Sequence, residues 1–325
     1  MLDLAIVGEG ETPRDALGGS VLLARRAEEL GYVRVWYAEH HNMESIASSA
    51  TAVLIAHVAA HTERIRLGSG GVMLPNHSPL VIAEQFGTLA ELHPGRIDLG
   101  LGRAPGTDQN TVRALRRSPM SAESFPQDVV ELQGYLSGET RFPDVEATPG
   151  KGTNVPLYIL GSSLFGAQVA AVLGLPYGFA SHFAPGALQD AVRVYREKFE
   201  PSEQLERPYV IAGVNVCIGE SEAEAQEKLE WRRRAFVRRR FSRPGYRLSD
   251  EELEVVLRSP HAEQVDEMMT YTAVGTTEQV RDYLEWFREH AAADELMVVH
   301  QGKNLADRLR SLDLLGEVGS ITTAA

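Results

Sequence analysis

Along the chain, short apolar runs alternate with longer stretches in which apolar residues recur every three or four positions, the period of an amphipathic helix. The runs Leu2–Val7, Val33–Tyr37, Ile65–Met73, Arg96–Leu101, Leu157–Leu160, Tyr177–Ala180, Tyr209–Ile218 and Leu296–Val299 predict eight strands. Helices are predicted over Pro13–Leu30 (closed by Gly31), Ser48–His61, Ser78–Leu92, Ser121–Leu136, Ser162–Leu173 and Gly186–Phe199, and from near Thr276 and Asn304. Strands with apolar residues at successive positions are buried on both faces, and helical connections make them parallel. The expectation is an α/β fold, a (β/α)8 TIM barrel forming one domain over 1–325, with an open doubly wound sheet as the alternative.

Two stretches break the alternation. Ser137–Val155 is polar and contains Gly and Pro, and reads as a loop. Glu220–Thr270 is an insertion between the seventh strand and its barrel helix, with a charged helix around Trp231, a turn at Arg243-Pro244-Gly245 and a second helix from Ser249. An insertion on that side of a barrel commonly covers the active site. Its arginine run, WRRRAFVRRRFSR, is either a solvated helix face or a lid that attracts an anion.

Charge narrows the partners. The formal net charge is -13, which argues against a nucleic-acid or anionic-membrane surface. No window approaches the apolar length of a membrane span, and the first residues lack a secretory pattern. Cys217 is the only cysteine, so no intrachain disulfide forms; it reads as a core residue, and a cytoplasmic protein is expected.

Some motifs fall short. Gly8-Glu9-Gly10 follows the first strand, but Pro13 stands where a dinucleotide fingerprint needs its third glycine. His57 and His61 have zinc-pair spacing, yet Val58 replaces the expected glutamate and no third ligand is evident, so no metal is expected.

In a parallel barrel the chemistry sits at the carboxyl ends of the strands. Those ends read Glu39-His40-His41-Asn42, Gly68-Ser69-Gly70-Gly71, Gly102-Arg103-Ala104-Pro105-Gly106, Gly161-Ser162-Ser163 and Ser181-His182. A histidine there can hold or donate a proton, and alternation lets only one of His40 and His41 face the mouth squarely. Gly70-Gly71 inside a strand implies either a bulge or a close approach to the backbone, such as that of a flat ring. Ser162 and Ser163 open a helix whose first N–H groups lack partners, a ready phosphate site, although one serine is equally explained as an N-cap. Arg103 could pair with the same phosphate.

The runs AEHHNM (Ala38–Met43), LGSGGVMLPNHSPLVIAEQ (Leu67–Gln85), GRIDLGLGRAPG (Gly95–Gly106) and VGTTEQV (Val274–Val280) resemble the luciferase-like monooxygenases, in matching order over nearly the whole chain. The resemblance is to the stand-alone, bacterial luciferase-related branch. It implies reduced FMN (FMNH2) bound at the strand mouth, with Glu39 beside the flavin and His40 as the active-site histidine. It implies a non-prolyl cis peptide at Gly70-Gly71 beneath the ring, and phosphate contacts from Arg103, Ser162, Ser163 and Gly166. Gly102 stands where luciferase has a cysteine near the reactive flavin carbon, and Ser162 replaces a glutamate. The implied reaction is flavin-dependent oxidation of a small organic substrate, an aldehyde or similar, by O2 through a C4a-peroxyflavin. Implied partners are a separate NAD(P)H:flavin reductase and a second copy of the chain, a homodimer. Alternatives are F420-dependent hydride transfer and a non-catalytic flavin-binding protein.

Overall fold

A computed structural model describes residues 1–8, 10–103, 108–241, 246 and 248–317. Two compact units emerge, Met1–Gly178 with Asp190–Val210, and Phe179–Gln189 with the chain from Ile211 onward.

The first unit opens with β1 (Leu2–Asp3), α1 (Pro13–Glu29), β2 (Arg34–Tyr37), α2 (Thr51–Ala59), β3 (Arg66–Met73), α3 (Pro79–Leu92) and β4 (Ile97–Gly102). It continues with α4 (Gln109–Ala114), α5 (Phe125–Ser137), β5 (Leu157–Gly161), α6 (Leu164–Val172), β6 (Tyr177–Phe179) and α7 (Leu188–Glu197), the last residue of β6 and the first two of α7 belonging to the other unit. Strands β1 to β5 pair in sequence order, each parallel to the next, as the alternation of strand and helix requires. Trp36, Tyr37, Leu67 and Leu99 fill the strand layer, and Ile82 and Phe86 seal it from α3. Thr12 and Asp15 form a capping box that starts α1, with Pro13 in its first turn.

The second unit holds β7 (Val210–Ile218), whose first residue lies in the other unit, α8 (Glu222–Phe241), α9 (Asp250–Leu257), α10 (Pro260–Met268), β8 (Thr272–Gly275), α11 (Thr277–His290), β9 (Glu295–His300) and α12 (Leu305–Gly316). The Asn215 amide donates to the Tyr271 carbonyl on the β8 side, whereas the Val216 carbonyl accepts from Gln301 beyond β9. Adjacent residues of a strand present their backbone groups to opposite sides, so β8 and β9 lie on opposite edges of β7.

The structure revises several expected elements. Strand one stops at Asp3 because its carboxylate takes the Ala5 amide (2.9 Å), and Ala5 turns to φ 46°. The expected eighth strand is β9, and β8 is an extra four-residue strand too short for a periodic signal. The insertion carries three helices rather than two, since Ser259-Pro260 ends one and caps the next. Helix α4 was not expected. The turn at Arg243-Pro244-Gly245, the segment Ala104-Pro105-Gly106 and Glu9 lie outside the described residues.

Candidate functional site

Glu39 stands two residues past the end of β2 and is only 1% exposed, so its carboxylate needs partners. His41 Nε2 bonds to Oε1 at 2.7 Å, His77 Nε2 reaches the same oxygen at 2.8 Å, and the Met73 amide donates to Oε2 at 3.0 Å. Two strand ends thus converge, because Glu39 and His41 follow β2, Met73 closes β3 and His77 stands two residues before α3. Burial opposes ionisation of Glu39, but the bonds from His41 and His77, the nearby His77 charge and the Met73 amide outweigh it and hold the carboxyl below its usual value. His41 moves the other way: its bond to Glu39 raises the imidazole above its usual value, against the smaller pull of burial. One ligand atom each from Glu39, His41 and His77 lies within 4.8 Å of the others, a set with metal-ligand chemistry. In this structure the two imidazole nitrogens each bond to the Glu39 carboxylate. His77 was not singled out from the sequence, although a histidine just past the end of a barrel strand was the available signal.

His40, between Glu39 and His41, is half-buried, and its Nδ1 is closed off from solvent. The structure commits His41, not His40, to the Glu39 carboxylate.

The peptide between Gly70 and Gly71 is cis. The pairing of β3 with β4 runs Ser69↔Leu99 and then Val72↔Leu101, so β3 carries one extra residue here, a bulge. A Cβ on Gly70 would lie 2.6 Å from Leu2 Cδ1, and one on Gly71 would lie 2.7 Å from both the Gly100 carbonyl oxygen and Leu160 Cδ1. Bulge and close approach are both present, and the approaching atoms belong to the chain itself.

Gly102 is buried at the end of β4, where a Cβ would meet Met73 Sδ at 3.1 Å. Arg103 is exposed rather than inward, and its guanidinium stands 4.1 Å from the centroid of the Phe165 ring in the first turn of α6. Among the described residues no carboxylate pairs with it. Ser163 occupies the N-cap of α6, yet its side chain makes no capping bond, so its hydroxyl stays available at the amino end of the helix. Tyr177 anchors this turn by donating to the Ser163 carbonyl (3.0 Å), and its ring lies against buried Gly166, where a Cβ would be 3.4 Å away. Arg103, Ser162, Ser163 and Gly166 therefore meet at one helix terminus. Cation, hydroxyls and free N–H groups together fit a phosphate.

In the second unit, Ser181 donates to the Gly213 carbonyl (2.6 Å), Asn215 to the His182 carbonyl (2.6 Å) and Gln301 to the Asn215 side-chain oxygen (2.9 Å). Asn215 was hidden in a run that read as apolar strand, and Gln301 stood two residues past the end of another. Cys217 is a core residue, its thiol pushed up to about 12 by burial. His57 is exposed on α2 and His61 is exposed just past its end, where the His61 ring bonds to the His57 carbonyl.

The family model for luciferase-like monooxygenase matches residues 4–294. The chain belongs to that family. A luciferase-like monooxygenase of Escherichia coli (strain K12) is 47% identical over 98% of this chain and 96% of its own length. Apo-MsnO8 superposes with a TM-score of 0.87 at 38% identity, over 99% of this chain and 98% of that one. The fold class is accordingly the (β/α)8 barrel, and the enzyme class is oxidoreductase, of the flavin-dependent, oxygen-incorporating kind. Two more distant structures share the fold. One is the oxygenating constituent of 3,6-diketocamphane monooxygenase from Pseudomonas putida in complex with FMN (TM-score 0.71, 15% identity, 100% of this chain and 98% of that one). The other is an F420-dependent secondary alcohol dehydrogenase (TM-score 0.69, 17% identity, 93% and 94%). No helix among the described residues is long and apolar enough to cross a membrane.

Proposed function

We propose that this enzyme binds reduced FMN and uses O2 to oxidise a small organic substrate. The observation that carries this reading is the phosphate-shaped set at the start of α6: Arg103 over Phe165, the uncommitted Ser163 hydroxyl, Ser162 and Gly166. FMN bound there would supply the two electrons for activating O2. The chain's own residues hold and shield it. Arg103 and the α6 amides fix the phosphate, and Gly70-Gly71, Gly102 and Glu39 flank the ring. Glu39 is kept ionised and oriented by His41 and His77, which makes these two positioning residues. His40, half-buried beside Glu39, is the proton-handling group. The electrons come from a separate NAD(P)H:flavin reductase, and a second copy of the chain packs on the face of α2 that leaves Val53 exposed.

Flavin-fluorescence titration tests the cofactor site. Arg103→Ala should weaken FMN binding by about tenfold or more, the effect of one charge-assisted bond. His40→Ala should leave FMN affinity within about twofold and lower O2-dependent product formation by roughly 100-fold. Unchanged FMN affinity in Arg103→Ala would remove the phosphate assignment. Oxidation of F420H2 without O2, in place of oxygenation with FMNH2, would overturn the reaction.

A further inference from the structure

The arginine run of α8 is not uniform. Arg233 pairs with Asp266 (2.8 Å) and Arg234 with Glu254 (2.5 Å), while Arg238 bonds to Asp250, so three arginines tie α8 to its neighbours α9 and α10. Arg240 is exposed. Arg232 and Arg239 are different. They stand seven residues apart, about two turns, and so share one stripe of the helix. Both guanidinium groups lie on the ring of buried Phe236, at 5.2 Å and 4.9 Å from its centroid. Among the described residues neither has a carboxylate or carbonyl partner, and Arg232 Nε is closed off from solvent without an acceptor.

Two like charges held on one ring, each partly stripped of water, cost free energy that an aromatic face only partly offsets. Burial and the neighbouring Arg239 push Arg232 down to about 10, and burial lowers Arg239 as well. Stacking uses the flat face of a guanidinium and leaves its N–H edge free to grip an oxyanion at two points. The position of the pair is also informative. Arg232 is in electrostatic reach of Cys217, two residues after Asn215 and therefore on the same face of β7. Asn215 on that face binds His182 and Gln301 near the carboxyl end of the strand, the end at which a barrel does its chemistry.

We infer that Arg232 and Arg239, braced on Phe236, form an anion subsite within the second unit that takes the carboxylate or phosphate group of an acidic organic ligand. The inference goes beyond the oxygenase reading above and names an acidic molecule as a ligand of the second unit.

Calorimetry on the full chain tests this with monocarboxylates from acetate to octanoate, benzoate and phenyl phosphate, each beside its neutral amide or phenol. At least one acid should bind ten or more times tighter than its neutral counterpart, and the winning head group identifies carboxylate or phosphate. R232Q and R239Q should each cut that preference by about tenfold, one charge-assisted contact, while R240Q leaves it intact. R239Q, on the half-buried last part of the helix, keeps the test open if R232Q fails to fold. Equal binding of acids and neutral analogues, or an equal effect of R240Q, overturns the subsite. Weakened FMN binding in R232Q and R239Q without any acid preference would also overturn it, assigning the pair to the cofactor. A wild-type protein that prefers the acid but binds no FMN would support the subsite and refute only the cofactor reading.

Discussion

Replacing Glu39 by Gln keeps the shape of the side chain and removes its charge. The carboxylate accepts from His41, His77 and the Met73 amide. Glutamine can keep the Met73 bond through its carbonyl, but it meets the two imidazoles with one neutral amide. A hydrogen bond to a charged group contributes about 1.5–3 kcal/mol and a neutral one about 0.5–1.5 kcal/mol. Losing the charge from two such bonds should therefore destabilise the protein by about 2–3 kcal/mol. The size depends on pH, and both signs can be worked out. Glu39 is held below its ordinary 4.5, so its contribution is present above that value and fades as pH falls through the depressed one. His41 is raised above 6.5, so its contribution is complete below 6.5 and fades as pH rises through the raised one. The variant should lose most near pH 6, and the deficit should be smaller at pH 9, as His41 gives up its proton with rising pH. Urea unfolding of both proteins at the two pH values measures this, with the His41 ring resonance followed alongside. An equal deficit at both pH values, or a His41 titration unmoved by the substitution, would refute the argument.

Three further substitutions test the frame around the site. Gly100→Ala puts a Cβ 2.2 Å from the Ser69 carbonyl oxygen, so backbone must move; a loss of about 3 kcal/mol is expected in thermal or urea unfolding, and a loss under about 1 kcal/mol would contradict the close approach. Asp98→Asn leaves Arg34 and Arg66 facing a neutral group inside the protein and should cost about 3–5 kcal/mol by the same measurement, without changing FMN affinity in the protein that remains folded. Lys228→Met keeps the buried stem but removes the donor to the Ile218 carbonyl (2.7 Å) and the partner of Glu224; about 1.5–3 kcal/mol should be lost, and an unchanged midpoint would show that the carbonyl is satisfied otherwise.

Much of this was legible in the chain because it depends on local pattern. Strands β2 to β5 and the helices between them follow from apolar runs and caps. Glu39, Arg103 and Ser163 stood out as polar residues at the ends of such runs. What stayed hidden depends on contacts distant in sequence. Asp98 reads as an ordinary break in an apolar strand, and only the fold brings it to Arg34, 64 residues earlier, and Arg66, 32 residues earlier. The binding of His77 to Glu39 likewise spans 38 residues. Gly70-Gly71 invited a ligand as explanation, yet Leu2, Gly100 and Leu160 already account for the missing side chains. The arginine run could not be divided from sequence, because the acids that neutralise three of its members lie on α9 and α10.

The strands of the first unit carry polar residues at both ends, and the two ends differ in how completely those residues are satisfied. At the amino ends, Asp98 binds Arg34 (2.7 Å), Trp36 Nε1 (3.0 Å) and Arg66, and Arg34 also reaches the Tyr158 hydroxyl (2.8 Å) between the rings of Trp36 and Tyr158. That network is closed on itself, and its removal should be felt in folding alone. At the carboxyl ends, Glu39 is held by His41 and His77, but among the described residues Arg103 has only an aromatic face, and Ser163 leaves its helix without a side-chain cap. Groups left with spare donors there lower the stability of the isolated chain and favour a ligand that completes them. Saturating FMN should therefore raise the unfolding midpoint of the wild type, and of Asp98→Asn by a similar increment, while Arg103→Ala should lose most of that increment. If Asp98→Asn lost it as well, the two ends of the strands would be coupled and the separation of folding from binding would be wrong.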